Sequence, residues 1–477
     1  MSLARLKKGK NIYIYFISFL ASAFGIVLNF VLARFLEAEQ FGKLQYFVAL
    51  STTISQFLIV GLNTFLIREA KNKSQNGEVF NECLSIFFTI ALFFLPIVYY
   101  FLNNYVLASY SNNFLSLIIV IIAFLMGGVT LTTAYFQGKG KYHFSIFAES
   151  LIPKSLLLLI SVVFAILGMK QELFNNYLIF YSIIYSLIAI PFILFLFKKI
   201  NFSFSKNEIL SILFFFGVTV TYSLGNNLTK VLQGGLYKND VALGIISVSI
   251  SIVGLVRVFT GVLDNLMKPI FSSKKREEDI DGLIDCYRFD LRVNSYVSIP
   301  LFIFFIVHPN KFLILFGETY TVYPFILVFI ALANAVSDLT GPNGTLLSMT
   351  GKEKWELANG FLYFGLYISG VFLFSFDKVY GLTIALLIAQ IGVNIAKYIE
   401  TRILYKQHPI NIKTLLTIVL VIVTNFTIIF CLRFLNLELI YWMIIGITIG
   451  MSCIFLNCFV LSLYRKTDFK RLLSLRL

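Results

Sequence analysis

Residues 114–136 read FLSLIIVIIAFLMGGVTLTTAYF, and the basic turn Gln137-Gly138-Lys139-Gly140-Lys141 follows at once. No charge interrupts the stretch. At 1.5 Å of rise per residue, about 20 apolar residues cross about 30 Å of hydrocarbon, so this segment has the length and composition of a transmembrane helix. The pattern recurs along the whole chain. Spans are expected at 11–36, 44–67, 83–107, 114–136, 146–168, 175–197, 209–232, 243–266, 291–316, 323–347, 357–376, 381–404, 414–435 and 440–464. Fourteen such segments leave no room in 477 residues for a soluble domain. The expected fold is an all-α polytopic membrane protein.

Composition agrees. Hydrophobic residues make up 58% and charged residues 13%, with a mean hydropathy of +0.85, far from a soluble domain. The 52 Phe and 25 Tyr suit lipid-facing surfaces and interfacial belts. The basic N-terminus (Arg5, Lys7, Lys8, Lys10) precedes an apolar run of spanning length with no small-residue cleavage site after it, so no signal peptide is expected. The five cysteines, Cys83, Cys286, Cys431, Cys453 and Cys458, have no spacing that suggests zinc or a disulfide framework.

Basic residues set the orientation. Every second connection is rich in them, and 27 of the 39 lysines and arginines fall on one side. The opposite connections hold only Lys43, Lys170, Lys238 and Lys378. Both termini are therefore expected in the cytoplasm, an even number of crossings apart, in the inner (plasma) membrane of a bacterium. Orientation also accounts for the net charge of +15, and nucleic acid is not an expected partner.

The chain reads as two related halves. Gly138-Lys139-Gly140-Lys141-Tyr142 follows span four and Gly351-Lys352-Glu353-Lys354-Trp355 follows span ten. Phe41-Gly42 opens span two and Leu243-Gly244 opens span eight. An offset of six spans preserves orientation, so the repeat is parallel. The expected lobes are 1–203 and 204–405, six spans each, with 406–477 adding two helices and a basic tail.

Charges deep in a bilayer are costly and normally face an interior or a hydrated cavity. Arg257, Gly261, Asp264 and Lys268 fall on one stripe of span eight, with Arg257 near the midplane. That stripe reads either as a cavity wall or as an ion-pair seam. Lys154 follows Pro153 in span five, Asp338 lies in span ten, and Lys397 lies in span twelve with Glu400 one turn on. Gln56 in span two and Asn226 in span seven stand on neutral polar faces with Thr52, Thr53, Ser55, Asn63, Thr219, Thr221, Tyr222 and Asn227. Such groups either bind sugar hydroxyls or join helices. Counted this way the deep charge leans cationic, which suits a phosphate or pyrophosphate. Catalytic equipment is not evident. His143, His308 and His408 sit near span ends, and no Walker loop, nucleophile elbow or metal-ligand cluster is present. No cofactor is expected, and the chain is not read as an enzyme.

The turn Phe41-Gly42-Lys43-Leu44-Gln45-Tyr46, the segment Tyr135-Phe136-Gln137-Gly138-Lys139-Gly140-Lys141 and above all Gly341-Pro342-Asn343-Gly344-Thr345-Leu346-Leu347-Ser348-Met349-Thr350-Gly351-Lys352 resemble the Wzx-type O-antigen and capsular repeat-unit flippases of the multidrug/oligosaccharidyl-lipid/polysaccharide exporter (MOP) superfamily. The resemblance implies a two-lobe bundle with a cationic central cavity. It implies movement of undecaprenyl-pyrophosphate-linked oligosaccharide from the cytoplasmic to the periplasmic leaflet. Membrane lipids are then partners, with a polysaccharide polymerase and chain-length proteins as candidates. A multidrug cation antiporter and a peptidoglycan-precursor flippase of the same superfamily are the alternatives. The cavity residues remain Arg257, Lys154, Asp264, Lys268, Asp338, Gln56 and Asn226.

Overall fold

A computed structural model describes residues 3–69, 78–108, 113–196, 206–408, 410–434 and 438–464. These residues are helical, with no strand among them. Contacts divide the chain into two compact units, residues 1–247 and 248–477.

The first unit holds α1 (Leu3–Ile59), α2 (Leu62–Glu69), α3 (Glu78–Phe101), α4 (Asn113–Gly138), α5 (Tyr142–Ile146), α6 (Ile152–Ile166), α7 (Lys170–Leu196), α8 (Lys206–Leu232) and the first turns of α9 (Asp240–Arg276). Span one and most of span two lie in α1, which is broken by one residue, Glu37, at φ 64°, and span two runs on into α2. Gln45 Nε2 nevertheless donates to Asn29 Oδ1 at 3.3 Å. Sixteen residues along a straight helix would separate these groups by about 24 Å, so the break at Glu37 folds α1 back on itself. No glycine or proline stands between residues 26 and 41 to end the helix chemically. A single left-handed residue makes the turn, and Lys170 Nζ holds its Glu37 carboxylate at 2.7 Å.

Helix α4, the stretch quoted first, is the core of this unit and packs on α1, α2 and α7. Gly127 and Gly128 make the close approaches. A Cβ at Gly127 would lie 2.6 Å from the Phe87 ring of α3, and one at Gly128 would lie 3.0 Å from Ile193 of α7. Membrane helices pack by such small-residue contacts because lipid offers no hydrophobic drive between them.

The second unit holds the rest of α9, then α10 (Ile280–Val307), α11 (Pro309–Leu313), α12 (Phe325–Thr340), α13 (Asn343–Met349), α14 (Glu353–Leu373), α15 (Gly381–Tyr405), α16 (Ile412–Cys431) and α17 (Leu439–Tyr464). Its central helix is α10, which packs on α12, α16 and α17. Asn425 Nδ2 donates to Asn457 Oδ1 at 3.1 Å, and Asn457 Nδ2 donates to the Tyr296 carbonyl at 3.0 Å. The two appended helices are thus tied to α10 by a buried polar chain. Gly446 and Gly450 on α17 lie beside the Phe304 ring of α10.

Span ten is broken. The α12 and α13 axes differ by 49° at Gly341-Pro342. Proline has no N–H for the helix ladder, and Gly341 at φ +81° takes a left-handed turn. Freed polar groups in a membrane must find partners. The Tyr287 hydroxyl sits against the Thr340 carbonyl and 2.8 Å from Asn343 Oδ1. Asn343 Nδ2 donates to the Thr340 carbonyl at 2.9 Å, and Thr401 Oγ1 donates to Asn343 Oδ1 at 3.3 Å.

Ten helices among the described residues are long and apolar enough to cross a membrane, or eleven with the bent pair. The count of fourteen is not reached on that test. Span one and most of span two share α1, and some side chains along spans seven and fourteen, on α8 and α17, lie outside the described residues. A multi-pass helical membrane protein stands.

The two glycines that open spans two and eight in the expected repeat lie against each other's helices. A Cβ on Gly42 would lie 1.9 Å from the Asp240 carbonyl oxygen, and a Cβ on Gly244 would lie 2.1 Å from the Ala38 oxygen. Each glycine therefore rests on the carbonyl four residues before the other. The basic turns match too, in a different register from the one expected. Gly140 and Gly351 take the left-handed turn, at φ +77° and +76°. Lys141 N–H donates to Phe136 O and Lys352 N–H to Leu347 O, each at 2.9 Å. This is the same helix cap twice, and it aligns Gly140, rather than Gly138, with Gly351.

Candidate functional site: charges buried in the helices

The second unit gathers charge where α9, α10 and α12 meet. On α9, Arg257 Nε donates to Asn334 Oδ1 of α12 at 3.0 Å, while Asn334 Nδ2 donates to the Ile330 carbonyl of its own helix at 2.8 Å. A side chain anchored at one end thus orients the guanidinium at the other. Arg257 is otherwise exposed. Asp264, two turns further along α9, accepts from Asn294 Nδ2 of α10 at 3.4 Å, and the same amide donates to Asp290 Oδ2 at 3.1 Å. Asp338 lies among Arg257, Asp264 and Ser298, and Lys268 lies near Asp264. Gly261, on the same stripe, faces open space.

Four of the expected residues, Arg257, Asp264, Lys268 and Asp338, therefore lie together. Asp290, Asn294, Ser298 and Asn334 belong with them and were not expected. Asp290 is fully buried, and neither its Oδ1 nor Asp338 Oδ2 has a hydrogen-bond partner among the described residues. Their signal was present in the sequence. Asp290, Asn294 and Ser298 repeat at helical spacing, but the expected span began at 291. Helix α10 begins at Ile280 instead, capped by Asp279, whose side chain accepts from the Gly282 N–H at 2.8 Å.

The expected cationic lean does not hold in this unit. Three carboxylates, Asp264, Asp290 and Asp338, lie near one another, with Arg257 near Asp264 and Asp338 and Lys268 near Asp264. Lys397 drops out of the count, because its Nζ pairs with Glu356 of α14 at 2.7 Å with both side chains nearly buried. The expected neighbour Glu400 instead accepts from Asn359 Nδ2 at 2.6 Å. No group of three His, Cys, Asp or Glu that could hold a metal ion occurs among the described residues.

Lys154 belongs to the first unit. Its ammonium packs on Gly25 of α1, where a Cβ would come within 3.3 Å of Nζ. Glu149, one turn earlier, attracts it electrostatically and accepts from Thr133 Oγ1 of α4 at 3.2 Å. Gln56 is half-buried on α1. The side chains of Asn226, Thr219, Thr221 and Tyr222 on α8 lie outside the described residues. The arrangement can bind and neutralise anions at Arg257, and it can take up positive charge at carboxylate oxygens that have no partner.

The profile of the family described as "Polysaccharide biosynthesis protein" matches residues 31–325. The chain belongs to that family. No curated protein matches the chain. Solved structures share its fold. The lipid II flippase MurJ, in an inward closed conformation, is 14% identical over 95% of this chain and 100% of its own, with a TM-score of 0.66. An inward-facing multidrug resistance MATE transporter of the MOP superfamily is 14% identical over 82% and 94%, at 0.55. A MOP-superfamily transporter from Pyrococcus furiosus, described by the reversed polarity of its binding pocket, is 12% identical over 84% and 96%, at 0.56. At these identities the likeness is one of fold. This member of the polysaccharide biosynthesis family therefore has the MOP transporter fold, in agreement with the resemblance carried by residues 41–46, 135–141 and 341–352.

Proposed function

We propose that this protein is a flippase that carries undecaprenyl-pyrophosphate-linked oligosaccharide repeat units from the cytoplasmic to the periplasmic leaflet for surface polysaccharide synthesis, O-antigen or capsule. Membership of a polysaccharide biosynthesis family, joined to a transporter fold over nearly the whole chain, carries the reading. The protein sits in the inner membrane with both termini in the cytoplasm, as the basic asymmetry requires. The lobes are 1–203 and 204–405, with 406–477 appended. A polymerase and chain-length proteins would take over the product. Arg257, oriented by Asn334, contacts the pyrophosphate, because a guanidinium pairs bidentately with phosphate. Lys154 and Lys268 add positive charge. Asp264 and Asp338 set the charge around Arg257, and Gln56 and Asn226 meet sugar hydroxyls.

Deletion of the gene tests the proposal. Surface glycan should be lost and lipid-linked repeat units should accumulate on the cytoplasmic leaflet. Intact glycan with raised sensitivity to cationic drugs would instead indicate a multidrug antiporter. The likeness to MurJ supports one second reading, a peptidoglycan-precursor flippase. On that reading depletion causes lysis and leaves lipid II, rather than a repeat unit, on the inner leaflet.

A further inference from the structure

At the end of the second unit that carries residues 308–324, a cavity of about 870 Å³ opens beside α10, α12, α16 and α17. It is remote along the helices from Arg257 and Asp290, and nothing in the proposed transport step uses it. Its walls are of two kinds. Ile306, Val328 and Phe325 among the lining residues are apolar, and Lys311 and Arg433 are cationic. Glu438 also lines it, so the lysine and arginine leave one net positive charge.

The aromatic floor is built. The Trp442 indole packs against His308 at 5.4 Å and Phe312 at 5.4 Å between ring centroids. His308 is fixed by its Nε2, which donates to the Ile429 carbonyl at 3.0 Å. Trp442 is 3% exposed, and its indole N–H has no acceptor among the described residues. A buried donor without a partner costs about 1–3 kcal/mol, so an acceptor brought into this cavity would recover a bond the protein does not make.

The combination has one matching chemistry. Cations, an indole donor and an apolar wall at the end of the spans fit an acyl-bearing phosphodiester, since basic pockets between membrane helices bind lipid head groups and tryptophan favours the membrane–water interface. We infer that this cavity binds the phosphate headgroup of an anionic phospholipid, with Lys311 and Arg433 on the phosphate, Trp442 donating to it, and the glycerol end against Ile306, Phe325 and Val328. The inference rests on the membrane placement of α10 and α12 and not on the identity of the cargo.

The chain has two tryptophans, so Trp355→Phe leaves Trp442 as the sole tryptophan, excited selectively at the red edge where tyrosine does not absorb. This protein is placed in phosphatidylcholine nanodiscs with rising fractions of phosphatidylglycerol. A saturating change in Trp442 emission is expected. Lys311→Gln with Arg433→Gln should weaken the response about tenfold or more, as loss of charge-assisted bonds to phosphate does. Glu438→Gln should strengthen it several-fold, and this second variant keeps the test decisive if the double variant unfolds. A response that rises linearly without saturation, or that ignores both variants, overturns the site. An equal response to soluble pyrophosphate in pure phosphatidylcholine discs overturns the assignment to a lipid.

Discussion

Gly42→Ala is the sharpest perturbation of the repeat. The added methyl would lie 1.9 Å from the Asp240 carbonyl oxygen and 2.9 Å from the Gly244 nitrogen. Ordinary contact begins near 3.4 Å, so the start of α9 must retreat by about 1.5 Å. Every obstructing atom is backbone, and no rotamer change relieves it. Overpacking of this kind costs about 1–3 kcal/mol, occasionally more, and the upper end applies where no side chain can yield. Gly244→Ala meets the Ala38 oxygen at 2.1 Å and should cost about the same. The two are not independent, because a separation that admits one methyl admits the other. The double variant should therefore be clearly less destabilised than the sum of the singles, as neighbouring sites allow. Gly254→Ala on α9 meets nothing within 4 Å and serves as the control. Thermal unfolding of purified protein in one detergent reads all four. Wild-type unfolding in Gly42→Ala, or strict additivity in the pair, would refute the reciprocal seam.

Arg257→Ala should reduce glycan export about tenfold or more at normal protein abundance, the cost of a charge-assisted bond, and Arg257→Lys should restore part of it. Reduced abundance rescued by a second change at Asp338 or Asp264 would make Arg257 an ion-pair strut. Asn343→Ala removes partners from Tyr287 and Thr401 and should lower stability by about 1–3 kcal/mol, read as a lowered unfolding temperature. The Lys274 ammonium, at 2.7 Å, and then the Gly282 N–H hold the Asp279 carboxyl below its usual range, and the same ion pair raises Lys274. A lowered acid stabilises above its ordinary pKa and loses that contribution as pH falls through the lowered value. A raised lysine loses its contribution as pH rises through the raised value. Asp279→Asn should therefore unfold earlier than wild type at neutral pH, with the gap closing in strong acid. Cysteine labelling should reach positions near Lys139, Arg276 and Lys352 from the cytoplasm and near Glu318 and Asp377 from outside; labelling of Lys139 and Glu318 from one side would break the topology.

The membrane made most of the fold readable. Hydrophobic length and basic bias are one-dimensional properties, and a bilayer selects on them directly. The stripe Arg257, Asp264, Lys268 was legible for the same reason, because helical spacing fixes a face. What spacing cannot encode is the partner on another helix. Lys397 was assigned to its local neighbour Glu400, yet tertiary packing delivers Glu356. Asn334 stands four residues before Asp338 and looked no different from any buried amide. Asp290 was lost because α10 begins with a polar, capped stretch that reads as a loop, although the helix runs on through it. The two basic turns carry the same left-handed cap two residues out of the expected register, because only the backbone shows which glycine is left-handed.

The broken span also bears on how the chain enters the bilayer. Tyr287 precedes Asn343 by 56 residues, while Thr401 follows it by 58. At about 5–20 residues per second of synthesis, Asn343 leaves the ribosome roughly 3–12 s before Thr401 exists. Throughout that interval Tyr287 and the bend's own Asn343 are at hand for the freed Thr340 carbonyl, while Thr401 is not. A nascent chain arrested before α15 therefore already holds the first clasp of the bend. Loss of the Tyr287 hydroxyl would weaken membrane integration during translation, at a stage when the later partners cannot yet compensate.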